Sequence, residues 1–165
     1  MSVITHIFIG MTPQLREEIG QTRPFQSLEQ EAHLALQRTA ALLAHALAET
    51  IKPLGLTPTQ YNVLRILRGA GENGLCRNEV RGRMIAQVPD VTRLLDRMEE
   101  MGVIERRREG ADRRYVTTRI TPEGLRLLAE AEEPVAECHR RLLGHLGDES
   151  LRRLIDLLAE AREKA

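Results

Sequence analysis

Apolar positions recur along most of the chain at helical spacing, and the residues between them supply start and stop signals that predict six helices and one hairpin. Ser27, with Gln30 three positions on, opens the first long helix as a capping box. Leu28, Ala32, Ala35, Leu36, Leu42, Leu43, Ala46, Leu47 and Ile51 then spread over more than one face. That is the pattern of a helix sandwiched between partners, one of which can be another subunit. Lys52-Pro53-Leu54-Gly55 ends it, because proline cannot continue a helix and glycine releases the chain. Thr57 as N-cap, Pro58 in the first turn, Gln60 completing a capping box and Leu56 facing Tyr61 start the next helix, which runs to about Arg68. Gly69 to Gly74 reads as a turn and Arg77 to Met84 as a short helix, weakened by Gly82. A further helix is expected from Val88 to Met101, with Val91, Leu94, Leu95 and Met98 inward.

Beyond Gly102 the period changes. Val103 to Arg108 and Tyr115 to Ile120 read as two strands around the turn Glu109-Gly110-Ala111-Asp112. Thr121-Pro122-Glu123 caps a long helix to about Leu146, which Pro134 is expected to bend. Asp148 is expected to cap the last helix, whose apolar side carries Leu151, Leu154, Ile155 and Leu158. The fold class expected is therefore mainly α: a winged helix-turn-helix with a two-stranded β wing, flanked by N- and C-terminal helices. The boundaries are an arm over 1–26, a helix over 27–52, a winged helix-turn-helix over 53–121 and C-terminal helices over 122–165.

The second helix of such a pair fits a DNA major groove, about 12 Å wide. With the apolar side inward, Pro89, Asp90, Thr92, Arg93 and Arg97 are left to face outward. Arg93 can donate a bidentate pair to guanine, Thr92 can bond a base or phosphate, Asp90 can accept from cytosine, and Pro89 can make apolar contacts only. Charge places the same segment against DNA. The whole chain balances 24 basic against 24 acidic residues, yet Leu75 to Ile120 holds 11 arginines and 8 acidic residues, net +3, leaving the rest at −3. The wing carries Arg106, Arg107, Arg108, Arg113, Arg114 and Arg119 against Glu109 and Asp112. Strand alternation sends Arg106 and Arg108 to one face and Arg107 to the other, and an arginine at the tip is placed to enter a minor groove. Of the 24 basic residues 22 are arginine, the side chain suited to planar contacts with phosphate.

The run Leu56-Thr57-Pro58-Thr59-Gln60-Tyr61, the run Val91-Thr92-Arg93-Leu94-Leu95-Asp96-Arg97-Met98 through Gly102-Val103-Ile104, Asp112-Arg113-Arg114 and Thr121-Pro122-Glu123-Gly124 together resemble the MarR family of bacterial transcriptional regulators. The resemblance covers roughly residues 27 to 165. It implies a homodimer held by the first helix and the last two, which makes the N- and C-terminal helices over 27–52 and 122–165 dimerisation helices, bound to a pseudo-palindromic operator in double-stranded DNA, usually as a repressor released by a small ligand or an oxidant. It maps the family's wing aspartate and arginine onto Asp112 and Arg114. It also implies an effector cleft between the dimerisation helices and the DNA-binding lobe, with His33, Gln37, Tyr61 and Arg65 as polar candidates for its wall. The chain departs from the family where Cys76 stands in place of the frequent Thr or Ser.

Other chemistries find less support. The two cysteines, Cys76 and Cys138, form no disulfide framework, and with no apolar run near the roughly 18 residues of a membrane span a cytoplasmic location is expected. The start, Met1 to His6, lacks the charges of a secretion signal, and Met11 offers a second start. A redox-sensing regulator using Cys76 or Cys138 is one alternative; a winged-helix module that binds protein is another. The five histidines show no metal-ligand spacing, although Glu137, Cys138 and His139 could combine across a dimer; no cofactor is expected. Phosphate-cradling loops, nucleophile elbows and motif-linked carboxylate pairs are missing from the sequence, so no enzyme is expected.

Overall fold

The computed structural model describes residues 15–108 and 116–163. The chain divides into two units, Met1–Leu43 and Ala44–Ala165. In the first, a single turn of helix, α1 (Leu15–Glu18), precedes the start of α2 (Leu28–Ile51). Ser27 Oγ accepts the Gln30 amide at 3.2 Å, as a cap should, but the Gln30 side chain accepts from the Gln26 amide at 2.7 Å instead of closing the box on Ser27. Of all 24 residues of α2 only Ile51, the last, is buried.

The second unit continues α2 and adds a 3-10 turn (Lys52–Leu54), α3 (Pro58–Ala70), a 3-10 turn (Gly71–Asn73), β1 (Leu75–Cys76), α4 (Arg77–Arg83), α5 (Val91–Glu100), β2 (Ile104–Arg108), β3 (Val116–Ile120), α6 (Pro122–Leu143), a 3-10 turn (Gly144–Leu146) and α7 (Gly147–Arg162). Its core gathers Val63, Leu64 and Leu67 of α3, Val80 of α4, Val91, Leu95 and Met98 of α5, Val103 and Ile104, and Leu127, Leu128, Ala131 and Val135 of α6. The capping box at α3 forms in full: Thr57 Oγ1 accepts the Gln60 amide at 3.2 Å and Gln60 Oε1 accepts the Thr57 amide at 2.8 Å. Leu56 and Tyr61 are both buried beside it, as a staple requires.

Several boundaries differ from expectation. Helix α3 runs two residues past Arg68, because Gly69 stays helical and the chain turns at Gly71. The wing sheet has three strands in the order β1-β3-β2, where two were expected. The extra strand pairs Leu75 with Thr118 and Cys76 with Thr117. Gly74 permits it: its φ is +63°, and a Cβ there would stand 2.6 Å from the Thr118 carbonyl. Pro134 sits inside α6 without ending it. Asp148 lies within the first turn of α7, preceded by Leu146 as the N-cap, so it does not itself cap the helix.

Two junctions fix the end of α5 to the start of α6. Gly102 N–H donates to the Glu99 carbonyl at 2.8 Å and Val103 N–H to the Met98 carbonyl at 3.2 Å, with both Met98 and Val103 in the core. This is a Schellman motif with its hydrophobic contact, and it swings the chain from α5 into β2. Thr121 then caps α6 by accepting the Gly124 amide at 3.2 Å while its hydroxyl donates to the Gly102 carbonyl at 2.7 Å. Any side chain at Gly124 would collide with Val103, whose carbonyl lies 2.3 Å from the site of a Cβ. The Met-Gly-Val turn and the Thr-Pro-Glu-Gly start are thus two sides of one joint.

Candidate nucleic-acid interface

Helix α5 begins at Val91, three residues later than the spacing suggests. Asp90 is its N-cap: Oδ1 accepts the Arg93 amide at 3.0 Å and Oδ2 lies 3.3 Å from Arg93 Nε. Pro89 and Asp90 therefore stand exposed at the start of the helix, with one Asp90 oxygen on the cap and the other beside Arg93. Arg93 and Arg97, four residues apart, are exposed on the face turned away from Val91, Leu95 and Met98; the Arg93 side chain is 78% exposed.

A second polar stripe of α5, Thr92, Asp96 and Glu99, is bonded to arginines of neighbouring elements. Arg77 Nη1, from the first turn of α4, donates to Thr92 Oγ1 at 3.3 Å. Arg106, on β2, donates its amide to Glu99 Oε1 at 3.0 Å and its Nε and Nη2 to Glu99 Oε2 at 2.8 and 2.6 Å. The same Nη2 reaches Asp96 Oδ1 at 2.7 Å, and the Arg106 side chain is only 26% exposed. These bonds hold the Glu99 carboxyl below the usual carboxylate range and raise the Arg106 guanidinium above its own. Arg107 points away from this cluster to Glu105, Nε to Oε1 3.0 Å, and stays 58% exposed. The expected alternation of Arg106 and Arg107 is therefore present. The Arg108 side chain, and the wing tip with Asp112, Arg113 and Arg114, lie outside the described residues.

Local capping explains the short helix before α5. Glu79 accepts the Cys76 amide at 2.7 Å, and this bond lowers the Glu79 carboxyl. Asn62 Oδ1 of α3 accepts the Ile85 amide at 3.0 Å and so anchors the turn between α4 and α5.

The MarR family model matches residues 56–116, from the α3 staple to the first residue of β3. The uncharacterized HTH-type transcriptional regulator YwoH of Bacillus subtilis is 30% identical over 114 residues, which span 69% of this chain and 81% of that protein. The chain belongs to the MarR family of transcription regulators. Among solved structures, a MarR transcription factor from Planctomyces limnophilus is similar at 40% identity and a TM-score of 0.64, over 82% of this chain and 98% of that one. The transcriptional repressor CouR bound to a 23-mer DNA duplex is similar at 27% identity and a TM-score of 0.72, over 85% and 99%.

For a MarR family chain, the four effector-cleft candidates fare unequally. Tyr61 is buried in the core, and the exposed Arg65 holds its Cζ 5.8 Å from the Tyr61 ring centroid. His33 and Gln37 are exposed on the part of α2 in the first unit. Cys138 is buried in α6, whereas Cys76 is half-buried and helps to line a cavity of about 440 Å³ with Thr92, Arg106 and Thr118. Among the described residues no cluster of His, Cys, Asp or Glu could hold a metal ion, and no helix is long and apolar enough to cross a membrane. Two features escaped sequence reasoning: Arg77, and the carboxylates facing Arg106. The available signal was Asp96 and Glu99 at i, i+3, one helical face ahead of an arginine strand.

Proposed function

We propose that this MarR family chain regulates transcription as a homodimer that reads a pseudo-palindromic operator in double-stranded DNA, as a repressor released by a small molecule. The observation that carries the reading is the exposed pair Arg93 and Arg97 on the outward face of α5, Arg93 in its first turn, with the arginine-rich wing following in sequence. Arg93 reads guanine, Pro89 packs on a base edge, and Thr92 donates its hydroxyl to the backbone. Arg108, Asp112, Arg113 and Arg114 form the wing contact, Asp112 orienting an arginine. The DNA-bound CouR, similar over nearly its whole length, supports the same use of the fold.

The homodimer reading rests on side chains that a single protomer leaves uncovered. In the first unit Leu28, Leu36 and Leu42 are 81%, 45% and 49% exposed; in the second, Ile155 and Leu157 of α7 are 62% and 54% exposed. The division of labour is the one expected from sequence: 27–52 and 122–165 join subunits, 53–121 binds DNA. The protein acts by binding rather than catalysis, in the cytoplasm. His33, Gln37 and Arg65 are the exposed polar candidates for the effector.

Selecting duplexes from a random pool tests the reading. The expected product is two inverted half-sites about one helical turn apart, or a multiple of it. Arg93→Ala should cost about 1 to 3 kcal/mol on the selected site and relax preference at one position in each half-site. Equal losses on selected and random duplexes would remove Arg93 from base reading.

A further inference from the structure

The two polar stripes of α5 divide its work. Thr92, Asp96 and Glu99 fall at i, i+4 and i+7, one narrow stripe, and each is bonded to an arginine from a neighbouring element: Thr92 to Arg77 of α4, Asp96 and Glu99 to Arg106 of β2. Arg93 and Arg97 form the adjacent stripe and carry the exposed charge. We propose that Arg106 and Arg77 are positioning residues, which clamp the recognition helix along this one stripe, near its start and near its end, and fix its roll and the set of the wing, instead of touching DNA. The proposal rests on the DNA-binding reading and narrows which arginines do the reading.

Arg106 was expected at the DNA surface because strand alternation and charge place it there. The geometry spends it internally. Its amide, Nε and Nη2 all donate to carboxylates of α5, and three quarters of the side chain is covered. A guanidinium that neutralises two acids has little charge left for a phosphate. It also removes the repulsion that Asp96 and Glu99 would otherwise present to DNA. The Arg77 bond to Thr92 is longer and single, so its share of the clamp is smaller.

Removing an acid makes the sharpest test, because charge and positioning then predict opposite signs. On charge alone, Glu99→Ala strengthens binding of the full-length protein to a selected duplex. As half of a clamp, Glu99→Ala weakens it about fivefold. Arg106→Met should weaken binding by a similar factor while the slope of log affinity against log salt stays at the wild-type value. A lost phosphate contact would instead flatten that slope by about 0.9. Exchanging the pair, Glu99→Arg with Arg106→Glu, should recover part of the loss if the contact itself matters.

A DNA-independent arm keeps failure of the clamp distinct from failure of the DNA reading. In the free protein the Arg106 amide, which donates to Glu99, should exchange with solvent at least several-fold faster in Glu99→Ala, while core amides of α3 such as Leu64 keep their rates. Faster exchange together with weaker binding supports the clamp. Unchanged exchange, tighter binding by Glu99→Ala, or a flattened salt slope in Arg106→Met overturns it. Wild-type protein that binds no duplex would sink the DNA reading, and the exchange arm would still decide whether the clamp exists.

Discussion

Helices α5 and α7 are built with similar apolar periodicity and end in different circumstances. In ten residues α5 buries Val91, Leu95 and Met98; in sixteen, α7 buries none, and its Leu151, Leu154 and Leu158 are only half-covered. An apolar stripe at helical spacing therefore says that a partner surface exists, not that the same protomer supplies it. Around α5 that surface is made by α4 and β2 in a core shared with α3 and α6, so the reading lobe completes itself. For α7 the missing cover is best supplied by a second copy.

This contrast can be broken most forcefully at its buried end. Leu95→Ala, in a site only 1% exposed, should cost about 2 to 5 kcal/mol in denaturant unfolding, enough to compromise the lobe; a loss under about 1 kcal/mol would mean the core there is not close-packed. At the other end, Ile155→Glu should hardly alter the secondary structure of the protomer yet cost association about 2 kcal/mol or more, seen by light scattering as a shift from dimer to monomer at low micromolar concentration. An unchanged mass would leave α7 a plain surface.

Smaller effects refine the picture at the joints. Thr121→Ala removes the acceptor for the Gly124 amide and the donor to the Gly102 carbonyl, and should cost about 1 kcal/mol of thermal stability. The smallest is a matter of pH. Glu99 has its carboxyl lowered in the folded protein, first by the hydrogen bonds from Arg106, so its contribution is present above the ordinary value of 4.5 and is lost as pH falls through the lower folded value. The wild-type protein should therefore lose more stability than Glu99→Ala between neutral and strongly acidic pH, measured by paired unfolding curves. Parallel curves would show that the Glu99 contact contributes nothing to folding.

How much of this could be read from residues alone follows from how local each cause is. The Thr57–Gln60 box and the Thr121 cap involve partners three positions apart, and both are found where the sequence places them. The spacing alone starts α5 three residues early, because a proline is as welcome in a first turn as before it; Asp90 decides the matter by taking the Arg93 amide. Strand β1 is two residues long and exists only through its pairing with Thr117 and Thr118, some forty residues on, so it has no periodicity of its own. Arg106 shows the same limit at the candidate site. Alternation assigned it a face correctly, but which carboxylates stand over that face depends on how α5 packs on the sheet.

A salt titration of duplex binding by the full-length protein most directly tests the claim that this arginine-built lobe binds DNA. The expected result is an affinity for the selected duplex that falls log-linearly with salt, with a slope of about −0.9 for each phosphate neutralised, and that exceeds the affinity for random duplex by at least about a thousandfold. Binding that stays millimolar at low salt for every duplex, or that ignores salt altogether, would contradict it.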